Sequence, residues 1–271
     1  MNRNSTRVLV ESAIMVALST VLSILKLVEM PCGGSVTFAQ MLPIIVLSYR
    51  HGLKAGMGSG LVFAVIQQLL GLKYISYFTT PASIIALILL DYILAFVFVG
   101  LGGIFRRRVK NQALAMTLGA LTVCFIRYIC HTVSGCTIWA GLSIPDSAAL
   151  IYSLGYNATY MVPETIVLLV ATYYVGGTVD FTRRVPSRIL RKEGGAVTAL
   201  YCIAGGLVAL ATVVDVILIA PYTQDPVSGA YDLSYLSGAN LTPVLTVSAV
   251  CLVGAVVLAV IAKVKSSAKN A

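Results

Sequence analysis

Four ionisable side chains, Asp91, Arg127, His131 and Glu164, stand well inside apolar runs, while Glu11 and Asp215 lie nearer the ends of two others. Such groups are costly within a membrane-spanning segment and mark either a function or a buried pair. Bond-making chemistry would need a nucleophile beside a base, a metal cluster, or paired carboxylates at one place. The chain has one histidine near the other polar groups and keeps its second, His51, in the short loop YRHGLKAG. It contains no HExxH, GxSxG or GxxxxGK[ST] motif and no zinc-type spacing. No catalytic residue, metal or cofactor is expected, and an ATP-driven process would take its energy from another subunit. The chemistry left to these residues is recognition of a small molecule.

The elements that must position them follow from composition. Of 271 residues 58% are apolar and 11% charged, where soluble domains carry roughly a quarter charged. This composition predicts an all-α polytopic membrane protein. Runs long enough to cross a bilayer, about 17 to 25 residues, fall at 8–28, 55–72, 82–105, 112–135, 148–176, 196–220 and 243–264, and a shorter one at 36–49 carries Pro43. The net charge of +9 reads as topology rather than nucleic-acid binding, because the basic residues gather at loops of one side and only Lys26 and Lys73 fall opposite. By the positive-inside rule both termini are cytoplasmic, which requires an even number of spans and counts 36–49 as one, giving eight. The polar stretch 178–195 (TVDFTRRVPSRILRKEGG) separates a six-helix core at 1–177 from a two-helix C-terminal extension at 196–271.

Depth can be counted from the outer helix ends at a rise of 1.5 Å per residue. Asp91 and Asn157 then lie roughly 14 Å in, Arg127 about 10 Å, and Tyr152 and His131 about 5 Å. These residues share one layer although they come from three helices, and Trp139, the single tryptophan, stands in the loop above it. Arg127 and His131 are four apart, and Tyr152, Tyr156, Asn157, Tyr160 and Glu164 fall in one broad stripe. A polar, aromatic pocket open to the outside is the expectation. The opposing reading makes Asp91 and Arg127 a structural ion pair, which leaves His131, Asn157 and Trp139 unexplained. Glu11, Glu164 and Asp215 are assigned to helix packing or interface solvation. Cys124, Cys130, Cys202 and Cys251 read as small core residues; Cys32 and Cys136 both fall in predicted outer loops, where a disulfide is one option that spacing does not decide.

The motifs AIMVA in the first helix, MLPIIVLSYRHGLKAGMGSGL at 41–61, LLDYILAF at 89–96, RYICHTVSGCTIW at 127–139 and IYSLGYN at 151–157 occur in order and without large gaps. In this combination the chain resembles the thiamine-specific substrate-binding (S) component of energy-coupling factor (ECF) transporters, from about residue 8 to 176. The resemblance implies a prokaryotic plasma-membrane protein with a six-helix core. Such a protein captures thiamine from outside and associates with a transmembrane coupling protein and two cytoplasmic ATPase subunits. It implies ligand contacts at Asp91 and Tyr92, at His131 and Trp139, at Tyr152 and Asn157, and at either Tyr74 or Tyr77. It makes Ala13 and Ala17, a small-xxx-small pair, the partner-docking face of the first helix.

Thiamine suits such a site on physical grounds. Its thiazolium charge favours a desolvated carboxylate and aromatic faces, at about 0.5 to 2 kcal/mol for cation–π attraction; its aminopyrimidine presents donors and acceptors that Asn157, His131 and tyrosine hydroxyls can match. Arg127 is assigned to orienting Asp91 or to structural support. Three features depart from the family pattern: Asp91 stands where glutamate is typical, the first outer loop (KLVEMPCGGSVTF) offers Glu29 and Phe38 but no tryptophan, and residues 196–264 lie outside the family core. Two alternatives stay open: uptake of a thiamine precursor or analogue, and a stand-alone ion-coupled transporter using Asp91, Arg127 and Glu164 as its path.

Overall fold

The computed structural model describes residues 3–30, 33–142, 144, 146–189, 195–223 and 232–267. Among the described residues the longer helices follow in the order α1 (Arg3–Ile24), α2 (Leu42–His51), α3 (Leu53–Leu70), α4 (Pro81–Gly103), α5 (Gln112–Thr137), α6 (Ser147–Thr178), α7 (Gly195–Ile219) and α8 (Leu241–Ser267), with short 3₁₀ turns at Leu72–Tyr77, Ala220–Thr223 and Leu233–Gly238. Two short antiparallel hairpins join them, β1 (Lys26–Glu29) with β2 (Ser35–Thr37) and β3 (Val179–Asp180) with β4 (Ser187–Arg188). Among the described residues, seven helices, all but α2, are long and apolar enough to cross a membrane. The chain is a helical, polytopic membrane protein.

The stretch 36–49 departs from expectation. Its first residues pair in β2, and the helix begins only at Leu42, with Pro43 in its first turn, where a missing N–H costs nothing. Ten residues reach about 15 Å, half of a roughly 30 Å hydrocarbon core. Pro43 to Arg50 are buried without interruption, so this short segment is enclosed by protein rather than lipid. Gly52, at φ 91°, turns the chain straight into α3.

Side-chain caps start the site helices where the sequence changes character. The Thr80 hydroxyl accepts from the Ser83 amide before α4, Asn111 from Leu114 before α5, and Asp146 from Ala149 before α6. α4 is not uniform: after one ordinary stretch it widens into a π turn over Ile88–Leu94, the segment that carries Asp91 and Tyr92, and it ends as a 3₁₀ helix over Phe98–Gly103. Single π turns re-aim side chains and recur at functional sites. The lower half of α4 is pressed against its neighbours through glycines: a Cβ on Gly119 of α5 would sit 1.8 Å from the Gly102 carbonyl oxygen. Phe63, Phe96, Ile44, Ile45, Val99, Val123 and Leu168 form the core between α2 and α6, with the Phe63 and Phe96 rings edge to face at 5.3 Å.

At the end of α1 opposite the β1–β2 hairpin, Glu11 gathers Arg7 (2.8 Å), Arg50 (2.9 Å) and His51 (2.6 Å), and Arg50 also donates to the Phe181 carbonyl at 3.1 Å. Arg7 donates to the Arg184 carbonyl. Glu11, expected only to pack or be solvated, thus ties α1 to α2 and to the segment after α6. Along the rest of α1, Ala13 and Ala17 are exposed, flanked by exposed Val10, Ile14, Leu18 and Val21. The tail hairpin α7–α8 lies on α6, where Gly205 meets Val170, and Val213 joins the cluster of Met30, Val36, Tyr156, Tyr160 and Met161. Cys136 lies inside α5 rather than in a loop; it is a buried free thiol bonded to the Val133 carbonyl, and Cys32 lies outside the described residues.

Candidate functional site

A cavity of about 620 Å³ opens between α3, α4, α5, α6 and the β1–β2 hairpin. Asp91, Tyr92, Arg127, His131, Trp139, Tyr152, Asn157 and Tyr74 all line it, so the layer counted from helix ends converges on one space.

Asp91 is its chemical centre. The Ser134 hydroxyl donates to Oδ2 at 2.6 Å and the Trp139 indole N–H to the same oxygen at 3.1 Å. His131 Nδ1 lies 3.0 Å from Oδ1, and since a carboxylate oxygen only accepts, Nδ1 carries the proton. In the neutral ring this leaves Nε2 as an acceptor, and that atom is buried without a partner among the described residues. His131 and Ser134 sit three apart on α5, on neighbouring positions of one face. The side chain of Asp91 is only 13% exposed. Among the described residues, three donors hold the carboxylate in place, and no arginine or lysine reaches it.

Arg127 does something else. Its guanidinium lies 3.3 Å from Glu164 Oε2, stands over the Phe96 ring at 4.7 Å and contacts Met41 Sδ at 3.0 Å. Of the two roles expected for Arg127, orienting Asp91 or structural support, the contacts agree with the second, and a pair with Asp91 is corrected: one helical turn, about 6 Å of rise, separates Arg127 from His131, and its partner Glu164 is on α6. Glu164, expected to stand apart from the pocket, accepts from Thr37 and from Gln40 Nε2 at 2.8 Å each on its other oxygen. It therefore anchors the β1–β2 hairpin and the cavity floor together.

The walls are aromatic. Trp139 meets Phe78 at 4.9 Å and Tyr77 at 5.9 Å, and Tyr77 stacks on Tyr74 at 6.4 Å. Of the two candidate tyrosines, Tyr74 lines the cavity, while Tyr77 is 63% exposed and backs Tyr74 and Trp139. Tyr92 approaches the Gly71 carbonyl at 3.5 Å, and a Cβ on Gly71 would fall 2.2 Å from its hydroxyl. On α6, Tyr152 stacks on Tyr156 at 6.3 Å and Tyr156 meets Tyr160 edge to face at 6.0 Å. Asn157 is held within its own helix: its amide donates to the Ser153 carbonyl at 2.9 Å, and its oxygen accepts from Tyr160 at 2.7 Å.

At the mouth, Glu29 accepts from Lys26 and Lys73 at 2.9 Å each and from the Tyr74 hydroxyl at 3.2 Å. The hydrogen bonds from the two lysines hold its carboxyl well below the usual carboxylate range, at about 2. Burial pushes the Tyr74 hydroxyl up.

Sequence reasoning passed over Ser134, Gln40 and Gln67 as lining or supporting groups, and gave Tyr156 and Tyr160 a place in the pocket's stripe but no contact of their own. Ser134 was findable, three residues beyond His131 on the same face. Tyr156 and Tyr160 fell in the recognised stripe of α6. Gln40 and Gln67 carry no charge, and a search confined to ionisable groups ignores them.

A geometry of one well-held carboxylate, acceptors, and aromatic faces in a deep cavity suits an organic cation with a heteroaromatic ring. A profile of the family described as Thiamine transporter protein matches residues 9–180. Thiamine transporter ThiT of Bacillus subtilis (strain 168) is 36% identical over 170 residues, which cover 59% of this chain and 84% of the relative. The solved structure of ThiT from Listeria monocytogenes superposes with a TM-score of 0.52 at 23% identity, covering 64% of this chain and 95% of that one.

Proposed function

The chain belongs to the thiamine transporter protein family, and on that premise we propose that it is the substrate-capturing (S) subunit of an ATP-driven energy-coupling factor transporter, with thiamine as its ligand. As a member of a transporter family it is not an enzyme. In the proposed arrangement α2 returns the chain from the β1–β2 hairpin to the side of Glu11, so the number of crossings is even, both termini are cytoplasmic, and the cavity opens to the outside. Thiamine enters with its thiazolium against Asp91, between the Trp139 and Tyr92 rings. The observation that carries the reading is the Asp91 carboxylate, enclosed in an aromatic cavity and held by Ser134, Trp139 and His131, with no arginine or lysine among the described residues to neutralise it. Because the Arg127 charge is met by Glu164, it does not oppose a bound cation.

Energy enters through partners: a transmembrane coupling protein that packs on the exposed Ala13–Ala17 face of α1, and two cytoplasmic ATPases behind it. In this reading residues 1–177 form the binding core, 178–195 the linker, and 196–271 an added hairpin that braces α6. The test is direct. Purified protein should bind thiamine saturably without ATP, with quenching of Trp139 fluorescence. Lack of saturable binding overturns the reading; tighter binding of the isolated aminopyrimidine than of thiamine shifts it to a precursor.

A further inference from the structure

The C-terminal hairpin α7–α8 touches a wall of the cavity as well as α6. That wall is the β1–β2 hairpin, which contributes Lys26, Glu29, Gly33, Gly34 and Ser35 to the lining. A two-stranded hairpin is marginal by itself and needs something to pack on. Its end docks on the aromatic stripe of α6: the Tyr156 hydroxyl donates to the Gly33 carbonyl at 2.6 Å, and a Cβ on Gly34 would fall 2.6 Å from the Tyr160 ring. Met30 and Val36 are buried in the same cluster, Val213 of α7 packs against it, and α7 also reaches β1. Helices within a membrane associate through close packing rather than a hydrophobic drive, and the added hairpin has such packing. A Cβ on Gly205 of α7 would sit 3.2 Å from Val170 of α6, one on Gly254 of α8 would sit 3.2 Å from Leu207 of α7, and the Ser248 hydroxyl of α8 donates to Asp215 of α7. The two helices therefore form one unit, seated on α6, that presses an apolar side chain against the cavity wall.

We propose that α7 braces the β1–β2 wall against α6, so that Val213 and Gly205 set how long the ligand stays in the cavity. The inference rests on the reading that thiamine is the ligand, and it gives the added hairpin a part in capture. Neither residue lines the cavity; both are positioning residues. Val213 adds apolar contact to the cluster of Met30, Val36, Tyr156 and Tyr160, and Gly205 gives α7 the close seat on α6 that keeps Val213 there. Polar ties secure the wall elsewhere: Thr37 and Gln40 donate to Glu164, and Lys73 donates to Glu29. The Met30 and Val36 side chains have no polar group to offer, so their side of the wall depends on packing against α6 and α7. Release of thiamine past Glu29 and Tyr74 at the mouth requires the wall to part from Tyr156 and Tyr160, and the brace opposes that movement.

The test uses purified full-length protein and two readouts: the dissociation rate of thiamine, followed through Trp139, and hydrogen exchange at the β1 and β2 amides without ligand. Val213→Ala should speed dissociation roughly fivefold, the scale of two half-buried methyl groups, and raise exchange in both strands. Gly205→Leu, which lifts α7 from Val170, should do at least as much. Leu245→Ala, on the exposed face of α8 at 66% exposure, should change neither readout. The number of thiamine sites per protein should stay at the wild-type value in all three. A wild-type dissociation rate and wild-type exchange in Val213→Ala and Gly205→Leu overturn the brace. So does a lower melting temperature with fewer sites but an unchanged rate, which marks a merely structural role, and so does an equal effect of Leu245→Ala. Absence of thiamine binding by wild type overturns the thiamine reading, and hydrogen exchange then decides the brace by itself.

Discussion

Replacing Asp91 with asparagine separates a ligand-facing carboxylate from a structural one. The substitution keeps size and shape and removes the charge. At about 4 Å from a thiazolium, with an effective dielectric constant near 20, a carboxylate contributes about 4 kcal/mol. Part of that is returned, because the neutral amide no longer carries the cost of a charge only 13% exposed. The cation–π contribution from Trp139 and Tyr92, about 0.5 to 2 kcal/mol, stays. The net loss is about 2 to 4 kcal/mol, and at 1.4 kcal/mol per decade the dissociation constant for thiamine rises roughly 30- to 1,000-fold. Titration of purified protein reads this out through Trp139, the only tryptophan. Because that indole donates to Asp91, the measurement should be repeated by calorimetry. The neutral, isolated aminopyrimidine supplies the control, since its affinity should hardly change. If thiamine binds Asp91→Asn as tightly as wild type while the melting temperature falls, the carboxylate is structural and the reasoning fails.

Three further outcomes test other parts of the structure. Arg127→Met leaves Glu164 buried without its cation and should lower stability by about 3 to 5 kcal/mol; adding Glu164→Gln should recover much of the loss in thermal unfolding, whereas additive losses would mean the two residues are not coupled. Glu29 has its folded pKa depressed from 4.5 to about 2, so the stability it lends the hairpin is fully present above pH 4.5 and disappears as pH falls through 2. The difference in melting temperature between wild type and Glu29→Gln should close over that window, and its persistence at the acid end would remove the lysines as cause. Bulky Ala13→Trp and Ala17→Trp should leave thiamine affinity unchanged yet abolish uptake in cells carrying the whole transporter; retained uptake would move the docking face elsewhere.

The residues of the site were legible because membrane helices make two quantities readable from sequence. Depth follows from counting along a helix, and cost singles out any polar group within it. Asp91, His131, Tyr152 and Asn157 come from three helices and reach the same cavity for that reason. Counting does not supply azimuth. Arg127 lies near the level of Asp91, but the bond it makes depends on which face of α5 looks at α4 and which at α6. It turns toward α6 and Glu164, and the π turn in α4 resets the direction of Asp91 in a way that a uniform 100° per residue does not describe. That α2 is enclosed by protein was not legible for a related reason: apolar composition measures burial, and protein can enclose a segment as well as lipid can.

Azimuth also decides what the site can bind. Had Arg127 faced Asp91, the cavity would hold a closed ion pair, and a cation would have to displace it. With Arg127 turned to Glu164, the positive charge is neutralised on the floor, one turn away from a carboxylate held, among the described residues, by Ser134, Trp139 and His131. One ion-pair choice therefore leaves the cavity with a carboxylate that no buried guanidinium neutralises among the described residues, the chemistry that a bound cation requires.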